Sequence, residues 1–182
     1  YKMIPKIKEA VRGVEITEED LNKYSGLFSS FKDLQREIDE RKYGGQISEI
    51  ITMIVSAAVK ADSSDIHIER DESDIKIRFR IDGVLHDAAI LGKEVWKKII
   101  SRLKILTGVK INITDKPQDG RMSIYSSQGR IDVRASFLPT NYGESVVMRL
   151  LKSSTVEISF ESLGLKGPAF ASLKREVERP NG

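Results

Sequence analysis

Asp65, His67 and Glu69 alternate along one short stretch, and side chains of these types can bind metals or transfer protons. Residues two positions apart point to the same face of a β-strand, so the three would lie side by side. A strand with one face in solvent shows the same alternation, and we favour this simpler interpretation. His86 is the only other histidine, which argues against a site built from several histidines. The sequence therefore predicts no metal site.

A second set of polar residues is basic. Lys76, Arg78 and Arg80 alternate with apolar residues, and together with Arg130 and Arg134 they could follow a phosphate backbone. The alternation places no aromatic side chain on this face, so platforms on which bases could stack are missing. A solvated face or a protein contact is favoured, and no nucleic acid is expected as a partner.

Arg149 occupies an unusual position in the stretch that follows. It stands between Val147 and Leu151, so the alternation places it on a face that should be apolar. The residues before it form a second alternating run, and the turn between the two runs is predicted to centre between Thr140 and Asn141. The whole stretch is therefore predicted to be a β-hairpin.

That turn predicts which residues lie opposite each other across the hairpin. Asp132 would face Arg149, and Arg134 would face Val147, diagonally from Arg149. One hypothesis is a cross-strand ion pair between Asp132 and Arg149, worth at most ~1 kcal/mol if exposed. The other is that Arg134 and Arg149 converge on an anion, because two guanidinium groups on one face repel each other unless something negative joins them.

The elements that must position these residues follow from hydrophobic periodicity. Apolar residues at helical spacing predict helices, and Thr17 is placed to cap the first of them. The predicted helices are two or three short ones within residues 1–45, then Ile47 to about Ala61, Val95 to Gly108 and Pro168 to about Glu178. Period-two alternation predicts strands at residues 65–69, 75–81, 84–89, 121–126, 130–138 and 144–151.

This order of elements predicts an α+β fold: an antiparallel sheet backed by helices, with a helical N-terminal segment and a C-terminal linker followed by a helix. We divide the chain into residues 1–45, 46–152 and 153–182. The 182 residues carry 30 Lys and Arg against 27 Asp and Glu, for a net charge of +3, and include no cysteine. A chain without disulfides suits a reducing compartment, and neither a membrane span nor a signal peptide is evident, so we expect a cytoplasmic protein.

Six motifs occur in order along the chain: SSDIHIE (63–69), IRFRIDGVL (77–85), SRLKILTG (101–108), KPQDGRMS (116–123), IDVRASFLPTNYGESVVMRLL (131–151) and RPNG (179–182). Together they closely resemble the region upstream of the nucleotide-binding loop in the ATPases of type II secretion and type IV pilus assembly. The resemblance covers about residues 47–182.

The resemblance implies that residues 46–152 form a PAS-like second N-terminal domain and that residues 153–182 begin a RecA-like ATPase domain. Family members are hexameric motors at the cytoplasmic face of the inner membrane that use ATP and magnesium. The PAS-like domain supplies arginines to the phosphates of ATP, and by motif these are Arg134 of IDVR and Arg149 of VVMR. The implied partners are the protein's own ATPase domain, neighbouring subunits and inner-membrane platform proteins.

One element of the family pattern is missing from the sequence. In the family, RPNG leads into a strand and a phosphate-binding loop of the form G-x-x-x-x-G-K-[ST], which this chain does not contain. We therefore expect that the chain alone does not hydrolyse ATP, contains no catalytic residue and holds neither ATP nor magnesium tightly. Two other functions stay open: a stand-alone PAS-like module that binds a ligand or a protein, and a nucleic-acid-binding sheet.

Overall fold

A computed structural model describes residues 16–26, 29–41, 46–126, 129–152, 164–177 and 179 of the chain. It contains a sheet and a layer of helices, in the order in which the sequence predicts them. The C-terminal linker is predicted at residues 152–166, and residues 153–163 of it lie outside the described residues.

The helices begin and end close to the predicted residues. Thr17 caps the first helix as predicted, because its hydroxyl accepts the backbone N–H of Asp20 while its own N–H donates to the Asp20 carboxylate. Gly108, in the left-handed conformation, follows the fourth helix. None of the described helices is long and apolar enough to cross a membrane. The helices are α1 (Glu18–Ser25), α2 (Phe31–Arg41), α3 (Ile47–Lys60), α4 (Trp96–Thr107) and α5 (Gly167–Val177).

The described strands form one six-stranded antiparallel sheet with the order β3-β2-β1-β6-β5-β4. Each half of the sheet is a meander of three consecutive strands, and the halves join where β1 pairs with β6. Asp82 and Gly83 both have positive φ and form the tight turn predicted between β2 and β3. The strands are β1 (Asp65–Arg70), β2 (Asp74–Ile81), β3 (Val84–Gly92), β4 (Gln118–Ser126), β5 (Gly129–Thr140) and β6 (Gly143–Lys152).

The core lies between one face of the sheet and the helices. Strand residues that alternate toward the helices are buried, as Ile66, Phe79, Val133 and Met148 show, whereas their neighbours along each strand face outward. This two-layer arrangement confirms the predicted α+β class. We call the outward side of the sheet the open face.

The N-terminal helices contribute to the same core. Leu34 and Ile38 of α2 are fully buried, and Ile16 before α1 forms a parallel bridge with Ile124 of β4. Helix α5, in contrast, has no buried residue. The division of the chain at residues 45/46 and 152/153 stays a prediction, because both boundaries adjoin residues that the structure does not describe.

Candidate functional site on the open face

The hairpin between β5 and β6 closes one position later than predicted. Thr140 pairs with Gly143, so the loop consists of Asn141 and Tyr142, and the Thr140 hydroxyl donates to the Gly143 carbonyl at 2.9 Å. A Cβ at Gly143 would lie only 2.9 Å from the indole nitrogen of Trp96, and the φ of Gly143 is +125°. A tertiary contact with α4 thus accompanies the turn, and the alternation of the hairpin alone does not reveal it.

The predicted pairing across the hairpin is therefore wrong by two residues. Arg134 lies directly opposite Arg149, and Asp132 lies opposite Leu151. A shift of two residues keeps every side chain on its predicted face, because strands alternate with a period of two. The two arginines are thus closer neighbours than the diagonal pair that we predicted.

The face that carries Arg149 is the open face, so the expectation of an apolar face is wrong. Met148 and Leu150 point into the core, whereas the Arg149 side chain is 61% exposed. Val147 and Leu151, on the side of Arg149, are partly accessible to solvent. Arg149 is therefore an outward-facing residue that a molecule in solution can reach.

Asp65 holds Arg149 in place from the neighbouring strand. The Nε of Arg149 donates to the Oδ1 of Asp65 at 2.9 Å, across the pair that joins β1 to β6. Arg80 lies 3.7 Å from the other carboxylate oxygen, and the Ser64 hydroxyl donates to that oxygen at 2.9 Å. Asp65 is only 3% exposed. Because the contact uses Nε, and no described residue bonds to the terminal nitrogens of Arg149, those nitrogens stay available to an incoming acceptor.

These contacts shift the pKa values of both partners. Burial raises the pKa of Asp65, but hydrogen bonds from Arg149 and Ser64 outweigh it, so the pKa lies below its ordinary value. The carboxylate of Asp65 raises the pKa of Arg149 in turn. Asp65 is therefore a carboxylate that orients an arginine, and the hypotheses of a metal ligand or an acid/base residue are not needed to explain it.

Of the two hypotheses for Arg149, the ion pair with Asp132 does not form. The Nε of Arg130 contacts Asp132 at 2.7 Å, and the Ser123 hydroxyl donates to the same carboxylate at 3.2 Å. Arg134 makes no ion pair or hydrogen bond through its side chain among the described residues. Two guanidinium groups thus lie directly opposite each other without a carboxylate between them, an arrangement that suits an anion.

The basic side chains of strand β2 differ from Arg134 in that they have carboxylate partners. The Nζ of Lys76 lies 2.9 Å from Asp71, and an Nη of Arg78 lies 2.5 Å from Glu69. The N–H of Asp74 and the Lys76 ammonium lower the pKa of Asp71. Each cation of β2, Arg80 included, therefore has a carboxylate partner. These pairs favour a structural role for the strand over contact with a nucleic-acid backbone.

The residues that resembled a metal site are joined to this ion-pair network. The Nδ1 of His67 lies 3.5 Å from Glu69, which also binds Arg78. Within the part of the chain that the structure describes, no group of three or more histidine and acidic residues is arranged to hold a metal.

Sequence reasoning selected both arginines as candidates but did not predict that Asp65 pairs with Arg149. Asp65 and Arg149 are 84 residues apart, and the alternation within each strand carries no information about which strands pair. The sequence does contain one indication of this contact: Asp65 and Arg149 each lie on the polar side of their own strand.

Comparisons with known proteins show the family to which the chain belongs. A model of the family described as "Type II/IV secretion system protein" matches residues 40–182. The chain is 35% identical over 160 residues to the type II secretion system ATPase E of Vibrio cholerae, covering 86% of this chain and 31% of that protein. It is 38% identical over 137 residues to the type IV pilus assembly ATPase PilB of Myxococcus xanthus, covering 75% of this chain and 24% of that protein.

A third relative aligns with more of the chain. The type II secretion system protein HxcR of Pseudomonas aeruginosa is 33% identical over 173 residues, covering 95% of this chain and 36% of that protein. The chain thus spans roughly a quarter to a third of the length of these relatives. It belongs to the family of type II secretion and type IV pilus assembly ATPases, and the relatives support its assignment to an N-terminal part of such an ATPase.

Proposed function

We propose that this chain is the coupling part of a hexameric secretion or pilus-assembly ATPase, and that its open face presents Arg134 and Arg149 to the phosphates of ATP held by the motor domain. The observation that carries this proposal is the placement of Arg134 directly opposite Arg149, with Arg149 oriented by Asp65.

The proposed chemistry is electrostatic. Transfer of a phosphoryl group spreads negative charge over its oxygens, and a guanidinium aimed at that charge stabilises the transition state. The Asp65 contact fixes Arg149 before nucleotide arrives, so less side-chain freedom is lost when the phosphate binds. Arg134 provides a second cation directly opposite. Magnesium and the phosphate-binding loop would come from the motor domain.

The same proposal defines the partners. The open face would close over nucleotide held by the protein's own motor domain or by a neighbouring subunit, so closure and chemistry would be coupled. Such an assembly would work at the cytoplasmic face of the inner membrane with platform proteins of the secretion or pilus machine. The exposed arginine pair supports closure over nucleotide, and the family membership supports work within a secretion or pilus machine.

The test is turnover in an ATPase of the length of the relatives that contains this chain. Arg134→Ala and Arg149→Ala should each lower kcat at saturating ATP by at least ~10-fold. This is a cautious threshold, since an arginine finger can supply ~10³-fold or more in rate. The apparent affinity for ATP should fall less, because the lost contact develops mainly in the transition state. Lysine at either position should rescue poorly, since an ammonium does not reproduce the bidentate fork.

Arg130→Ala is the matched control. Arg130 lies on the same strand and is exposed like Arg134, but it pairs with Asp132 on the open face. Its replacement removes one positive charge and should leave turnover within ~2-fold of wild type, as expected for a surface pair. Normal turnover in a folded Arg149→Ala enzyme would end the proposal.

A further inference from the structure

A third arginine continues the line formed by Arg134 and Arg149. Arg121 of β4 pairs directly with Arg134 of β5, which pairs directly with Arg149 of β6. Arg121 is exposed on the open face. We call Arg121, Arg134 and Arg149 the arginine row. Directly opposite residues have Cβ atoms only about 5 Å apart, so three positive charges stand in adjacent positions.

Asp65 pairs with Arg149, but no carboxylate within the described part of the chain pairs with Arg134 or Arg121. The nearest acids along the same strands are Asp119 and Asp132, each two residues from an arginine of the row. Asp119 accepts a hydrogen bond of 2.6 Å from Ser136, and Asp132 is bound by Arg130. Neither Arg121 nor Arg134 makes an ion pair with a described residue. Like charges placed opposite one another destabilise a sheet, so the row costs stability in the absence of an anion.

The backbone beside Arg121 packs closely against the end of helix α4 and the residues that follow it. A Cβ on Gly120 would lie 2.6 Å from the carbonyl oxygen of Thr107 and 2.7 Å from Val109, so only glycine allows this approach. Gln118, three residues before Arg121, donates to the carbonyl oxygens of Lys110 and Ile113. The strand that carries Arg121 is therefore fixed in position before any ligand arrives, as an anion site requires.

We propose that the arginine row is a single binding site for the phosphate chain of a nucleoside triphosphate, in which Arg121 is a third phosphate ligand beside Arg134 and Arg149. This inference rests on the proposed function and extends its site by one strand. Neighbouring strands are about 4.8 Å apart, so the outer two Cα atoms lie about 10 Å from each other. Three long side chains from this base can converge on adjacent phosphate groups, and their planar forks suit phosphate oxygens.

Titration of the 182-residue chain with inorganic tripolyphosphate tests the proposal without the motor domain. Calorimetry at low ionic strength keeps the screening of exposed charges small. We expect weak, saturable binding, and an increase in Kd of about 5-fold or more for each of Arg121→Gln, Arg134→Gln and Arg149→Gln. This is less than the ~10-fold or more expected for a charge-assisted hydrogen bond, because water competes for charges at an exposed site. Arg121→Lys should fall between wild type and Arg121→Gln.

Arg130→Gln is the control for net charge, because it removes the same charge from the same face at a residue outside the row. If Arg134→Gln and Arg149→Gln weaken binding while Arg121→Gln matches the control, the third ligand is refuted and the proposed function stands. If all four variants behave alike, or the wild-type chain shows no saturable binding, the row is not a site. Turnover in the longer enzyme then still tests the proposed function separately.

A measurement on the wild-type chain avoids any effect of a variant on folding. In a spectrum of arginine side-chain Nε–Hε groups, the signals of Arg121, Arg134 and Arg149 should shift together along one tripolyphosphate binding curve. The Arg130 signal should stay near its starting position. A stationary Arg121 signal beside moving signals of the other two would overturn the assignment.

Discussion

Asp65 combines burial with two arginine neighbours, so its charge state affects both stability and the open face. Its pKa in the folded chain lies below the ordinary value of about 3.9 for an unfolded aspartate. The unfolded chain therefore binds more protons in this range. The stabilisation is present above about pH 4 and is lost as the pH falls through the folded pKa.

We predict that Asp65→Asn lowers the free energy of unfolding at neutral pH by about 1 kcal/mol or more, the scale of a hydrogen bond to a charged group. The difference from wild type should shrink as the pH falls below about 4. Urea unfolding of the 182-residue chain at a series of pH values measures both effects. Asp132→Asn, which removes a half-exposed carboxylate from the same face, should cost less. A pH-independent difference for Asp65→Asn would contradict the role assigned to its charge.

At the residue scale the sequence predicts which face a side chain lies on better than it predicts what that side chain contacts. The types and the alternation of Arg134 and Arg149 placed both on one face, and the structure agrees. One of the two hypotheses for Arg149 pairs it with Asp132, a residue close in sequence, because cross-strand neighbours within one hairpin can be estimated from its turn. Asp65 belongs to another hairpin, so its contact depends on how the two halves of the sheet meet.

Helix α4 and the β5–β6 hairpin are joined by an ion pair inside the protein. The Nζ of Lys104 lies 2.7 Å from the Oε1 of Glu144, and the same Nζ donates to the carbonyl oxygen of Ile113 at 2.5 Å. The two side chains are 0% and 5% exposed. A charge buried in this way is costly unless its partner is present.

We predict that Glu144→Gln lowers the free energy of unfolding by about 3 kcal/mol, the lower end of the range for removing one partner of a buried pair. The double replacement Lys104→Met with Glu144→Leu should recover much of this loss, because it leaves no uncompensated charge. Urea unfolding of the three proteins measures these values. Glu72→Gln, at an exposed position, is the control. An equal, small effect at positions 72 and 144 would show that the pair contributes nothing specific.

The elements themselves were largely predictable because their local signals agree. Helix α3 follows an apolar stripe at helical spacing, and the β2–β3 turn follows Asp82-Gly83. The centre of the β5–β6 turn was wrong by one position, and its closing residue, Gly143, lies against Trp96 of α4. A contact between distant elements leaves no mark in the alternation from which a turn is located.

At the scale of the whole molecule, helix α2 belongs to the same packed core as the sheet. Ile38 is fully buried, and Phe31 packs edge-on against Phe79 of β2 with ring centroids 5.7 Å apart. We predict that Ile38→Ala lowers the free energy of unfolding by about 3 kcal/mol, within the range for a buried isoleucine. The transition should stay single when it is followed by circular dichroism and by Trp96 fluorescence.

Leu173→Ala in α5 is the matched control, because Leu173 is 40% exposed in a helix without buried residues. Its cost should stay within about 0.5 kcal/mol, as for surface substitutions. If Ile38→Ala instead produces a separate early transition that leaves Trp96 fluorescence unchanged, α2 folds and unfolds apart from the sheet.

Because β1 pairs with β6, the site depends on residues that are far apart in the sequence. The β5–β6 hairpin carries Arg134 and Arg149 within a short, local segment, but the carboxylate that orients Arg149 arrives from a residue 84 positions earlier. Bringing such distant residues together carries a loop-closure entropy that only the surrounding contacts of the folded domain offset. A peptide cut to the hairpin, or the hairpin grafted onto another scaffold, would therefore keep both guanidinium groups and lose the orientation of Arg149.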